Sequence, residues 1–120
     1  MTVEKIENYQ KAKAFLDDAK LLLEHQGFNS AISRAYYALY QFSIYILAQY
    51  GETRRDDKWS HHGIQKALKE KVIIIQDCRL SDMIADAYQL RVVSDYRSDS
   101  ADADRVESTI IRLGAVIGGV

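Results

Sequence analysis

Arg34-Ala35-Tyr36-Tyr37-Ala38-Leu39-Tyr40 lies in a segment, Ala31 to Tyr50, in which apolar residues fill almost every position. Only Ser33, Arg34, Gln41, Ser43 and Gln49 interrupt it. A helix that is hydrophobic all round has to be buried on all sides. In a chain of 120 residues one small bundle is hardly able to enclose such a rod, so a second copy is expected to cover part of it. The rod is not a membrane span. Its longest unbroken apolar piece, Ala35 to Tyr40, is far below the roughly 18 residues a span needs. Tyr36, Tyr37, Tyr40 and Tyr45 also require hydroxyl partners that lipid does not supply.

The flanks of the rod read as further helices. Upstream, Ile6, Tyr9, Phe15, Leu16, Ala19, Leu22 and Leu23 fall close to a three-four spacing and predict a first helix from about Val3 to His25. Gly27 offers a left-handed stop, and Asn29 or Ser30 can cap the second helix, so the two form an antiparallel hairpin. Gly51 ends the second helix by the same logic. Residues 52–59 are charged and aperiodic and predict an exposed loop, with Trp59 folded back onto the bundle. Ser60 caps a third helix whose inner face is Ile64, Ala67 and Leu68, fading near Lys71. Val72-Ile73-Ile74-Ile75 favours a strand locally, but a lone strand has no partner in a helical chain. It is therefore assigned to the end of the third helix and a buried connection. Ser81 caps a fourth helix running to about Arg97, with Asp82 in its first turn. After a polar turn at residues 98–102, Val106, Ile110, Leu113 and Ile117 form the stripe of a fifth helix, whose glycine-rich end is expected to fray.

Composition agrees with one all-α domain over residues 1–120, an up-down bundle of four to five helices. Hydrophobic residues make up 48% of the chain, there is no proline, and glycines number six, so nothing breaks long helices. The formal net charge of −1 argues against coating nucleic acid by bulk charge. Cys78 is the only cysteine, which excludes an intrachain disulfide and disfavours a cysteine metal site. Met1-Thr2-Val3-Glu4-Lys5 carries no basic-then-apolar leader, and a reducing cytoplasm is the expected location.

Several side chains are candidates for chemistry. Arg34 sits in the first turn of an apolar helix, where a cation opposes the dipole and calls for an anion. A salt bridge to the first or fourth helix ranks ahead of a phosphate clamp. In the fourth helix Ile84, Tyr88, Arg91 and Asp95 share one stripe. Arg91 and Asp95 are either an ordinary ion pair, worth about 0.3 kcal/mol if exposed, or, with Tyr96, a polar patch built for a ligand or a symmetry mate. His61 and His62 begin the third helix beside Arg54, Arg55 and Lys58. A solvated loop ahead of an ordinary helix start ranks first there. An RNA-contacting loop, with Trp59 free to stack on a base, ranks second. A histidine base and an arginine stabilising a phosphorane are the parts of metal-free RNA cleavage through the 2′-hydroxyl. No metal site and no cofactor are expected: adjacent histidines lack the i,i+4 spacing and a third ligand, and no phosphate loop or hydrolase motif is present.

Four stretches in order resemble the HEPN superfamily (higher eukaryotes and prokaryotes nucleotide-binding), in its compact stand-alone prokaryotic branch. They are Ala14-Phe15-Leu16 with Leu21-Leu22-Leu23-Glu24, then Ala31-Ile32-Ser33-Arg34-Ala35-Tyr36-Tyr37-Ala38, then His61-His62-Gly63-Ile64, then Leu90-Arg91-Val92-Val93-Ser94-Asp95-Tyr96. The resemblance implies a dimeric helical bundle, partnered with a minimal nucleotidyltransferase, often as a toxin–antitoxin pair. It also implies ribonuclease activity in members that carry an arginine, a spacer of roughly four to six residues and a histidine at the dimer cleft. This chain departs from that pattern, because the fifth residue after Arg91 is Tyr96. A tyrosine, with an ordinary pKa of about 10, is a poor base near neutrality. Arg55 precedes His61 at a permitted spacing, but in the segment between the second and third helices.

Three functions follow from these residues. The first is a homodimer that binds RNA or a nucleotide, or docks a nucleotidyltransferase, through Arg91, Asp95 and Tyr96, with Arg34 and His62 nearby. The second is a metal-independent endoribonuclease toxin using His61 and an arginine such as Arg55. The third is a structural adaptor whose second helix exists to dimerise.

Overall fold

The computed structural model describes residues 5–53, 58–96 and 102–119, and of residues 94–96 the backbone alone. In chain order the elements are α1 (Ile6–Glu24), α2 (Phe28–Gln49), α3 (His61–Glu70), β1 (Ile74–Ile75), β2 (Cys78–Arg79), α4 (Leu80–Tyr96) and α5 (Ala103–Gly118). The result is the all-α bundle that the hydrophobic periodicity predicts.

Helix α2 is its axis and touches each of the other four helices. Ala31, Ile32, Ala35, Leu39, Phe42 and Leu47 have no exposed surface, and Ile44, Tyr45 and Ile46 have almost none. This corrects the expectation that a second copy must shelter the rod. One subunit does so, because α1, α4 and α5 supply Ala12, Leu16, Ala19, Ile84, Ala87, Val106, Ile110 and Leu113, while Trp59 and α3 close the remaining side. The small residues on α1 let its backbone approach α2 closely, which is how a short chain covers a long apolar surface.

Three helices end in the same hydrogen-bonded stop, in which a left-handed residue turns the chain so that two N–H groups reach back to orphan carbonyls. At α2 the residue is Gly51, at φ 81°, with Gly51 N–H to the Ala48 carbonyl (3.0 Å) and Glu52 N–H to that of Leu47 (2.9 Å). At α1 the left-handed residue is Gln26, at φ 61°, and not the expected Gly27. Gly27 instead precedes α2 as its N-cap, and neither Asn29 nor Ser30 caps that helix. At α3 the residue is Val72, at φ 52°, a conformation that a β-branched side chain adopts only with strain.

The stop at Val72 also overturns the assignment of residues 72–75 to a helix end. Ile74–Ile75 pairs antiparallel with Cys78–Arg79, in the register Ile74↔Arg79 and Ile75↔Cys78. Gln76 and Asp77 connect them with φ of 52° and 60°, the two positive values that a tight two-residue hairpin needs. The local strand preference was real, and its partner lay two residues downstream. Leu80 N–H extends the pairing to the Ile73 carbonyl at 3.0 Å. Helix α4 therefore starts at Leu80, and Ser81 is buried within its first turn and is not its cap.

The remaining boundaries follow the sequence. Ser60 accepts a hydrogen bond from Gly63 N–H at 2.9 Å and caps α3. Asp102 accepts one from Arg105 N–H at 3.2 Å and caps α5. Val106, Ile110, Leu113 and Ile117 are buried as the stripe predicts. The polar turn expected at residues 98–102 lies outside the described residues, apart from Asp102.

Candidate functional site

Where α2, α3 and α4 meet, aromatic rings and cations converge. Helix α2 contributes Tyr36, Tyr37 and Tyr40. The first turn of α3 contributes His61 and His62, and α4 contributes Tyr88 and Arg91, one turn apart on one face. The rings of His61 and Tyr88 stack with centroids 3.9 Å apart and planes at 16°. His61 Nδ1 lies 3.2 Å from the Tyr36 hydroxyl. The Arg91 guanidinium stands over two rings, 5.1 Å from the centre of Tyr36 and 4.9 Å from that of Tyr37. Its Nη2 donates to the Tyr37 hydroxyl at 3.1 Å.

Tyr36 is the hinge of this arrangement, since Arg91 and His61 both contact it. Its ring is also 5.8 Å from those of Tyr37 and Tyr88. A cation over the face of an aromatic ring gains about 0.5–2 kcal/mol, more as water is excluded. Arg91 is half-buried, and two rings and the Tyr37 hydroxyl hold its guanidinium.

The electrostatics follow from burial. Tyr36 is pushed up to about 12, chiefly because burial disfavours the phenolate, with Arg91 pulling the other way. His61 is held below the usual imidazole value of 6.5, first by burial and then by the neighbouring His62. Near neutral pH the seam therefore carries a protonated phenol, an uncharged His61 ring and a permanent cation.

The predicted site residues take the following places. Arg91, His61 and His62 come together at this seam. Arg34 is exposed with its guanidinium 5.9 Å from the centre of Phe15, and Phe15 packs against Tyr37 at 5.8 Å, so Arg34 marks the outer end of the same run of rings and cations. The anion expected beside Arg34 is not found among the described residues. Arg55 lies outside the described residues, as do the side chains of Asp95 and Tyr96, so neither the Arg91–Asp95 pair nor the Arg55–His61 pair is in view. Trp59 is 6% exposed and packs in the core, which leaves no face for a nucleobase. Its backbone carbonyl accepts a hydrogen bond from Tyr40 at 2.6 Å.

Tyr36 and Tyr37 belong to the apolar rod and Tyr88 to the stripe of α4, and together they build the seam. One signal pointed to them: Tyr88 and Arg91 are an i,i+3 pair, so whatever receives Tyr88 also receives the guanidinium. A hollow of about 520 Å³ lies elsewhere, between the hairpin, α4 and α5. Among the described residues no three His, Cys, Asp or Glu side chains gather as metal ligands, and no helix is long and apolar enough to cross a membrane.

A family model described as the HEPN domain matches residues 7–118. A "UPF0332 protein" from Thermotoga maritima is 51% identical over 49 residues. That alignment covers 38% of this chain and 37% of the relative, so the chain spans well under half of the protein it matches.

Proposed function

Because the chain belongs to the HEPN domain family, we propose that it binds RNA or a nucleotide at the seam between α2, α3 and α4, as a single-domain cytoplasmic homodimer partnered with a minimal nucleotidyltransferase in a toxin–antitoxin-type system. The observation that carries the binding function is Arg91, whose guanidinium stands over Tyr36 and Tyr37. A cation held at a half-exposed seam suits an anionic ligand, and the phosphate of a nucleotide supplies that charge. Arg34, at the far end of the run, suits a second phosphate along a single strand. Asp95 and Tyr96 follow Arg91 on the same helix and are assigned to the rim of the site.

The homodimer and its partner rest on the family resemblance, because α2 no longer requires a second copy to cover it. Fluorescence anisotropy with labelled hexauridylate tests the binding reading. Saturable binding that weakens as salt rises supports it, and failure to bind either hexauridylate or mononucleotides refutes it. Light scattering tests the homodimer, and co-purification with a co-expressed minimal nucleotidyltransferase tests the partnership.

A second reading, a metal-independent ribonuclease, draws on the shared contact of His61 and Arg91 with Tyr36. It pairs His61 with Arg91 in space, where the sequence suggested Arg55. RNA degradation by pure protein in a chelator, abolished in His61→Ala, supports it, and intact RNA at high protein concentration argues against it.

A further inference from the structure

We infer that Tyr36 is a positioning residue that fixes the His61 proton on Nε2, so that His61 meets a ligand as a hydrogen-bond donor, and that the seam selects an anionic phosphodiester oxygen. The inference rests on the proposed binding function for its ligand and on the contact between Tyr36 and His61 for its tautomer.

Tyr36 is 4% exposed, and a buried hydroxyl must donate its proton to something. Among the described residues its hydrogen-bond partner is His61 Nδ1. Arg91, on the other side of the ring, has no acceptor to offer. The phenol keeps its proton because burial raises it far above neutrality. It therefore donates to Nδ1. A neutral imidazole has one donor and one acceptor nitrogen, and once Nδ1 accepts, the proton is on Nε2. The opposite tautomer would point two protons at each other or leave the Tyr36 hydroxyl buried with nothing to receive it.

Nε2 is the nitrogen remote from Tyr36. It makes no hydrogen bond among the described residues, on a ring that is half-buried against Tyr88. What His61 offers outward is thus an N–H, and Arg91 offers only N–H groups. A base edge presents donors as well as acceptors, whereas the outer oxygens of a phosphodiester only accept. The match favours phosphate. In this state the His61 lone pair is engaged by Tyr36 and is not open to a 2′-hydroxyl proton, which favours the binding reading over the ribonuclease reading.

Two measurements test the two halves. Long-range ¹H–¹⁵N NMR of the ligand-free chain at pH 7.5 reads the tautomer. The expected result is the Nε2–H pattern for His61 in the native protein. In Tyr36→Phe, which keeps the ring and removes the donor, a mixture of tautomers and a raised His61 titration midpoint are expected. The groups facing His61 in that titration are Tyr36 from α2, Tyr88 from α4 and His62 on α3, with Arg91 across the Tyr36 ring. An Nδ1–H pattern in the native protein overturns the positioning role. Anisotropy then compares hexauridylate with its uncharged methylphosphonate analogue. At least tenfold weaker binding of the analogue is expected, with a smaller ratio in His61→Phe. Equal binding of the two overturns the phosphate selectivity while the tautomer stands. No binding of either, with Nε2–H in place, removes the ligand half together with the proposed function.

Discussion

The Tyr40 hydroxyl donates to the Trp59 carbonyl oxygen at 2.6 Å, which ties the approach to α3 to the middle of α2. Two residues later the chain reaches His61, so this bond helps to set where the imidazole lies. Tyr40→Phe removes the donor and leaves a carbonyl facing the bundle. The expected loss is about 1 kcal/mol of stability, seen as a lower thermal midpoint, with weaker hexauridylate binding as His61 loses its anchor. An unchanged midpoint and unchanged binding would show that Trp59 is held by its ring alone.

Arg91→Ala should weaken hexauridylate binding about tenfold or more, the scale expected for a partly desolvated cation. Circular dichroism should stay native, because the guanidinium packs on rings that α2 already holds in place. Arg91→Lys should recover little, since an ammonium is not planar and does not stack. An Arg91→Ala variant that unfolds would make Arg91 structural and remove it from the site.

The depressed His61 fixes the sign of one pH effect. Unfolded His61 takes up a proton near 6.5, whereas the folded ring resists until the pH is lower. The unfolded chain thus binds more protons between the two values. This contribution to stability is present above about 6.5 and is lost as the pH falls through the folded value. Urea midpoints at pH 7.5 and 5.5 should fall more for the native chain than for His61→Phe. An equal drop in both would assign the acid sensitivity to other groups.

Val72 holds a left-handed conformation that strains a β-branched residue, and its side chain is 57% exposed, so replacing it removes little packing. Val72→Asn or Val72→Gly should raise stability by about 1 kcal/mol. Gly51→Ala, at φ 81° with open space around the added methyl, should lower it by a similar amount. Denaturant melts of the three variants decide this, and a destabilised Val72→Asn would show that the valine packs more than its exposure implies.

How much of this could be read from residue order differs between fold and site. The stripes of α3 and α5 and the Ser60 cap were legible because their causes lie within a few residues. The hairpin was not, because its turn is Gln76-Asp77 and lacks the glycine or asparagine that marks positive φ. The stop of α1 was misplaced by one residue for the same reason, as Gln26 takes the conformation expected of Gly27. The shelter of α2 depends on how closely Ala12 and Ala19 let α1 approach, which is a property of packing and not of pattern. At the site, Arg91 and His61 were each singled out, but their junction at Tyr36 was not. Arg91 and Tyr37 are 54 positions apart, and helical spacing says nothing about which distant ring a guanidinium will cover.

Between His61 on α3 and Tyr88 on α4 the chain passes through the Val72 stop and then the Ile74–Ile75 and Cys78–Arg79 ladder. The length of this connection sets the offset at which the two helices meet. One residue added at its tip would change the ladder's register and shear the imidazole off the phenol beneath it. Anyone transplanting this cluster into a different scaffold would therefore have to move residues 61–91 as one piece, hairpin included, together with the turn of α2 that carries Tyr36 and Tyr37.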